Sequence, residues 1–245
     1  MKKLYKAHLM RLINNKVYLG GCLIALIATC FTAAGQIPFP VISRFTPEMR
    51  MIFAGAAMFL YFALFPAIFI NPDYTDGVIR NRIILGYGQD KIFCSFLLVQ
   101  ITAVVLMFLC YVIGGLIGGA MISGDIFVYL FVLLSALIAY TALITAVSFR
   151  CRKLVSLIVF CMVIFNGCFN CVLFGNAIMM LLTGTAAKIG SIFYNINGLG
   201  QWFCMLGLGD DTVYPGAGIQ VLLSLIVFIV SCVFGAAGIR KRDLV

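Results

Sequence analysis

Charge is what this sequence has least of. Only 10% of its 245 residues are Asp, Glu, Lys or Arg, and it holds a single histidine, His8, and a single tryptophan, Trp202. An ordinary soluble domain is about 25% charged and about 45–50% apolar, whereas here apolar residues reach 64%. A soluble fold of this length cannot hide that much apolar surface from water, which leaves an integral membrane protein. The missing motifs narrow the function further. Without GxxxxGK[ST] the chain has no phosphate-cradling loop of its own, one histidine cannot supply HExxH, and no GxSxG nucleophile elbow is present. The long apolar runs contain no carboxylate pair for acid–base work. These absences argue against an enzyme and against a resident cofactor or metal. Of the ten cysteines, Cys168 and Cys171 form a CxxC, but there is no second pair and no histidine cluster to complete a zinc site. Most of the others fall inside apolar runs, where a thiol behaves as a small hydrophobe.

A helix needs about 20 mainly apolar residues to cross the hydrocarbon core. Six stretches meet this, namely 17–35, 51–70, 92–121, 126–149, 154–174 and 217–239, and none contains Asp, Glu, Lys, Arg or His. Backbone groups in lipid are satisfied only in helices or closed barrels. Continuous runs without two-residue alternation indicate helices, so the expected class is an all-α, six-span bundle forming one transmembrane domain, 1–245. The segment Gly175–Gly190, "GNAIMMLLTGTAAKIG", is apolar but short and glycine-broken. It is expected to be a re-entrant or interfacial helix and not a seventh span, because of where the basic residues fall. With six spans, one side holds Lys2, Lys3, Lys6, Arg11, Lys16, Arg80, Arg82, Lys91, Arg150, Arg152, Lys153, Arg240, Lys241 and Arg242, leaving only Arg44, Arg50 and Lys188 opposite. The positive-inside rule makes that side cytoplasmic, with both termini on it. The net charge of +9 is therefore read as topology and not as a nucleic-acid surface. Ahead of the first span, "MKKLYKAHLMRLINNK" has Tyr5, Leu9 and Leu12 at helical spacing among Lys2, Lys6 and Lys16. This predicts a basic amphipathic helix on the membrane surface, with His8 as an interfacial residue and the first span uncleaved.

The spans also lack the Asp, Glu or His with which proton-coupled carriers mark their path. Energy for uphill transport would then arrive from another polypeptide, and one segment is suited to receive it. Between the second and third spans lies "NPDYTDGVIRNRIILGYGQDK", carrying Asp73, Asp76, Arg80, Arg82, Asp90 and Lys91. Asn71 as N-cap, Pro72 at the first helical position and Gly86 as a stop predict one helix over Pro72–Leu85. Asp76 and Arg80 are four apart and are expected to pair along it. Tyr74, Val78 and Leu85 form one apolar stripe and Ile79 and Ile83 another, so the helix suits a position clamped between its own spans and a protein partner.

The string "DYTDGVIRNRIILGYGQDKIF" resembles the first cytoplasmic loop of type-2 ABC transporter permeases, in particular the six-span bacterial exporter subunits of antibiotic-peptide export and immunity. Asp73, Gly77, Ile79, Arg80, Asn81, Arg82, Ile84 and Gly86 fit or nearly fit that loop's pattern. Asp73 stands where Glu is usual, Val78 replaces Thr, Ile83 replaces Leu, and Gly88-Gln89 replaces Ser-Arg. The resemblance implies a permease of the bacterial plasma membrane that pairs with a second copy or a paralogue and sits on two copies of a separate ABC ATPase. ATP and Mg would be bound by those ATPases. The loop helix, through Asp73, Asp76, Gly77, Arg80, Asn81 and Arg82, would be the coupling helix. It also implies a path for an amphipathic or hydrophobic substrate along the second and fifth spans, lined by Met58, Phe62 and Phe65 on one and by Phe165, Asn166, Phe169 and Asn170 on the other. The segment between the fifth and sixth spans, with Asp210, Asp211 and a Trp202 suited to the membrane interface, would cap the exit. The alternative is a membrane protein that works without an ATPase, such as a secondary carrier, channel or assembly factor.

Overall fold

The computed structural model describes residues 2–37, 44–150, 153–207 and 213–240, with side chains as far as position 237 in the last segment. Arg152, Asp210, Asp211, Lys241 and Arg242 lie outside the described residues, as does the side chain of Arg240. Within them, ten helices follow one another: α1 (Lys2–Ile13), α2 (Lys16–Ala33), α3 (Pro47–Thr75), α4 (Val78–Ile84), α5 (Gln89–Ile117), α6 (Gly124–Ser148), α7 (Leu154–Met179), α8 (Gly184–Ile196), α9 (Gly198–Met205) and α10 (Ala217–Arg240). Among the described residues there is no strand. Helices α2, α3, α5, α6, α7 and α10 are long and apolar enough to cross a membrane, and the protein is a multi-pass membrane protein.

Local chemistry sets the helix starts. The Asn15 side chain accepts from the Val17 and Tyr18 amides at 2.9 and 3.1 Å to open α2. Thr46 caps α3 ahead of Pro47, and Ser123 caps α6, each oxygen satisfying an amide that has no partner within its helix. Helix α6 lies at the centre, against α10, α3, α5 and α9, while α2 packs on α5 and α3. Where the helices meet, buried ring donors bond carbonyls of neighbouring helices: Tyr18 to Ala103 (3.0 Å), Tyr111 to Met51 (2.6 Å) and Trp202 to Ile52 (2.8 Å). Trp202 is thus buried against the first turns of α3.

The α2–α5 crossing depends on Gly114 and Gly118, four residues apart. A Cβ at Gly114 would stand 2.3 Å from the Leu26 carbonyl oxygen, and one at Gly118 would stand 2.6 Å from that of Cys30. Only glycine lets the two backbones approach so closely, the usual route to helix association in lipid.

Two boundary expectations are corrected. Gly175–Met179 continues α7, because the apolar run passes through Gly175 without a break until Thr183 and Gly184. The short helices that follow form a hairpin, α8–α9, entering the bundle from the end opposite α1. At its apex the Asn197 side chain donates to the Cys168 carbonyl, midway along α7, at 2.7 Å. The hairpin is held by buried amides. Asn195 donates to Val213 O (2.8 Å), Gln201 to Asn195 O (2.7 Å) and Gln220 O (3.0 Å), Gln220 to Asn195 Oδ1 (2.8 Å), and Ser224 to Gln201 Oε1 (3.1 Å). Non-spanning backbone at membrane depth requires such internal satisfaction. The second correction concerns α3, which runs on to Thr75 and carries Asn71 and Pro72 inside its last turns. Asn71 is therefore inside α3 and not at a helix start, and the loop helix shrinks to the seven residues of α4. The break falls at Gly77, whose φ of +68° is open to glycine at no steric cost.

Candidate functional site

The turn at Gly77 divides the loop residues into two sets. Asp76, Arg80 and Asn81 point outward and are exposed, whereas Asp73 and Arg82 turn in towards the bundle. The expected Asp76–Arg80 ion pair does not form, since the left-handed residue between them puts them on separate helices. Asp73 pairs with two guanidiniums, those of Arg11 and Arg82.

Asp73 is buried at the end of α3. Its Oδ1 accepts from the Arg11 guanidinium, and its Oδ2 lies 3.7 Å from Arg82 Nη1. Arg11 also donates to the Phe69 carbonyl at 2.8 Å and stands 4.7 Å over the Phe69 ring. His8, 1% exposed, is set against the Phe96 ring at 3.9 Å between centroids. Arg82 Nη1 and His8 Nε2 are 2.6 Å apart. A guanidinium can only donate, so His8 Nε2 accepts and the imidazole is neutral, with its proton on Nδ1. That nitrogen faces Asp73 Oδ2 at 3.9 Å, too far for a hydrogen bond and, with a neutral ring, not an ion pair. Burial, then the Arg82 and Arg11 charges, pushes the His8 pKa down to about 3.

The cluster joins three elements. The N-terminal helix α1 contributes His8 and Arg11, α3 contributes Asp73, and α4 contributes Arg82. Leu4, His8 and Leu12 form the buried face of α1, so this helix docks on the protein through a polar lock and not merely on a membrane surface. Tyr74 ties the same end of α3 to the end of α6, donating to Phe149 O at 3.0 Å. Nearby, Arg150 donates to Phe234 O at 3.1 Å and stands 3.4 Å over the Phe234 ring, tying α6 to α10. One end of the bundle is thereby both basic and locked together.

Sequence reasoning missed His8 and Arg11 as members of this site. The available signal was their three-residue spacing, which puts the lone histidine and an arginine on one helical face. It also missed what α4 presents outward: Ile84 and Leu85 are 72% and 76% exposed beside Arg80 and Asn81. Ile84, the last residue of α4, and Leu85, its C-cap, make an apolar tip beside the exposed Arg80.

The residues expected along a substrate path fall into two groups. Met58, Phe62 and Phe65 are buried within the chain, Phe65 stacking with Tyr61 and continuing through Phe69 to Phe96. Met58 also lines a cleft of about 730 Å³ between α2 and α3. On α7, Phe165 is half-buried, while Asn166, Phe169 and Asn170 are exposed on a helix that leaves most of its surface uncovered. Asn170 Nδ2 donates to the Asn166 carbonyl at 3.0 Å and to its side-chain oxygen. Comparison of the chain with protein-family models and with curated proteins returns no match.

The lock carries its own pH prediction. An undocked α1 has His8 titrating near 6.5, and the docked one holds it neutral down to about 3. Protonation therefore favours the undocked form as pH falls below 6.5, by about 1.4 kcal/mol per unit, and docking is unpenalised above that value. The distance between labels at Met10 and Ile84 is expected to lengthen between pH 6.5 and about pH 4, and His8→Gln should flatten the change. A distance that does not respond to pH in the unsubstituted protein would contradict the buried neutral imidazole.

Proposed function

We propose that this chain is the membrane-spanning permease subunit of an ATP-driven exporter, powered by a separate ATPase that seats on α4. The observation that carries the reading is the pairing of an exposed apolar tip, Ile84 and Leu85 with Arg80 and Asn81, with a rigid root at Asp73. A force applied at the tip reaches α3 and α1 through the Arg82–Asp73, Arg82–His8 and Arg11–Asp73 contacts as well as through the turn at Gly77. The basic end of the bundle is the cytoplasmic one by the positive-inside rule, which puts the tip where ATP is available. The resemblance of the loop to type-2 ABC permeases points the same way. ATP-driven closure of two ATPase copies would rock the bundle between inward- and outward-open forms. A second copy or paralogue would cover α7, where exposed Asn166 and Asn170 are poorly suited to lipid. The cargo is an amphipathic or hydrophobic molecule crossing the plasma membrane.

Arg80 is exposed and lies outside the Asp73 lock, so its reversal leaves the fold alone. Arg80→Glu is expected to leave inserted protein at normal levels, to abolish ATP-dependent transport into vesicles, and to leave ATP hydrolysis no longer stimulated by transport. Undiminished transport in that variant would count against the assignment. Transport that proceeds without ATP would favour an ATPase-independent carrier or channel.

A further inference from the structure

The cleft of about 730 Å³ between α2 and α3 opens at the outside of the bundle, where Ile24, Ala28, Ala57 and Leu60 form an exposed rim. Its walls run from Lys16 to Thr32 on α2 and from Leu64 back to Phe53 on α3. At 1.5 Å per residue this is about 24 Å along α2, longer than one leaflet is deep, since two leaflets share a hydrocarbon core of about 30 Å. Gly20 and Ala25 on one wall and Ala54 on the other keep the groove open where larger side chains would fill it. The hydroxyls that line it are engaged within the protein. Thr29 donates to Ala25 O at 2.7 Å, Thr32 to Ala28 O at 2.6 Å and Tyr61 to Val17 O at 3.3 Å. Among the described lining residues the one charged side chain is Lys16, exposed at the end where α1 joins α2. No Asp or Glu precedes Glu48 in the sequence, and Lys2, Lys3 and Lys6 are exposed on α1. The cleft is thus an apolar slot with a cation at one mouth and no carboxylate in its walls.

We infer that this cleft seats one acyl chain of an anionic phospholipid, drawn from the leaflet at the basic end of the bundle, with the lipid phosphate on Lys16. The acyl chain matches the apolar walls, and the phosphate matches the one cation at their mouth. A headgroup of net negative charge is favoured over a zwitterionic one, which would bring a cation of its own to a surface already carrying Lys2, Lys3, Lys6 and Lys16. A helix of a second copy also suits a groove walled by small residues, but the six apolar runs of this chain hold no Asp or Glu to meet Lys16. The inference goes beyond the ATPase reading and does not depend on it, since binding is measured on this chain alone.

The test uses the full chain in phosphatidylcholine nanodiscs with two photoactivatable lipids that carry the same diazirine in one chain, a phosphatidylglycerol and a phosphatidylcholine. The phosphatidylglycerol probe is expected to label α2 between Gly20 and Thr32 and α3 between Phe53 and Leu64, to saturate, and to be displaced by unlabelled phosphatidylglycerol. Lys16→Gln should weaken its apparent affinity about 5-fold, the worth of one cation near the membrane surface, and Lys16→Arg should keep it. Gly20 lines the cleft, and a Cβ built there meets nothing within 4 Å. Gly20→Leu should therefore abolish the labelling while leaving the yield of folded protein unchanged. Equal labelling by the two probes, labelling that does not saturate, or an unchanged affinity in Lys16→Gln would each overturn the assignment. A chain that is dimeric in the discs and becomes monomeric in Gly20→Leu would give the cleft to a second copy, and would overturn it as well.

Discussion

Replacing Asp73 with leucine is expected to release α1 from the bundle and to loosen α4 with it. The substitution removes the one carboxylate that two guanidiniums share and leaves Arg11 and Arg82 facing an apolar side chain. Breaking a buried ion pair by deleting one partner costs about 3–5 kcal/mol. Arg11 and Arg82 keep 33% and 20% of their side-chain surface exposed, so the lower end, about 3 kcal/mol, is the figure to expect. The loss should be local. Residues 2–13 would gain amide exchange and trypsin would cut after Lys6 and Arg11, while the α6–α10 pair stays protected. Combining Asp73→Leu with Arg11→Met should cost less than the sum of the two single changes, because the second removes a cation that the first has orphaned. Additive costs, or an α1 that stays protected in Asp73→Leu, would show that the buried Leu4 and Leu12 and the Tyr5–Thr102 hydrogen bond hold the helix without the Asp73 ion pairs.

The second large effect is expected at Gly114. A side chain there meets the backbone of α2 and not a flexible side chain, with the Leu26 carbonyl oxygen 2.3 Å and the Leu26 Cα 3.1 Å from the new Cβ. Relief requires α2 to move away from α5, which also strains the Tyr18–Ala103 hydrogen bond. Overpacking costs typically about 1–3 kcal/mol and more when backbone must shift, so Gly114→Val should sharply reduce the yield of folded protein in detergent. The control is Gly20→Ala on α2, where a Cβ meets nothing within 4 Å and helix propensity improves by up to about 1 kcal/mol. It should be neutral or mildly stabilising. Equal loss in both variants would mean that helix α2 tolerates no change at all, and that the close approach at Gly114 is not special.

Six spans were legible because hydrocarbon thickness imposes a length on every crossing, and an uncharged apolar run of that length is too long and too greasy for a helix in water. Their ends were less legible. The Asn71-Pro72 pair is a true helix-start signature, yet α3 was already wound there, and its own i→i−4 bonds outcompeted the cap. Gly77 looked like an interior residue, and its left-handed conformation is what ends α3 and shortens α4. Gly175 looked like a break, but the apolar face of α7 carried the helix past it. The site was half legible. Asp73 and Arg82 stood in the charged loop, but their partners His8 and Arg11 come from α1, far away in sequence, and only tertiary packing brings them together. Helical spacing of aromatics reads identically for a path lining and for a core, and the structure adds that Met58, Phe62 and Phe65 are buried within the chain. The Asn195–Gln201–Gln220 network was likewise invisible, as its members become partners only once the α8–α9 hairpin has folded against α10.

The proposed seat of a separate ATPase is α4, rooted at Asp73. The most direct measurement is to purify the full chain from its native membrane in mild detergent and quantify what accompanies it, for the unsubstituted protein and for Ile84→Asp with Leu85→Asp. An equimolar polypeptide that contains a Walker motif and hydrolyses ATP is expected with the unsubstituted protein. This polypeptide is expected to be lost from the double variant, while α1 and the six spans keep their protection. Protein that purifies without any ATP-hydrolysing subunit, or a subunit that the double variant retains in full, would contradict it.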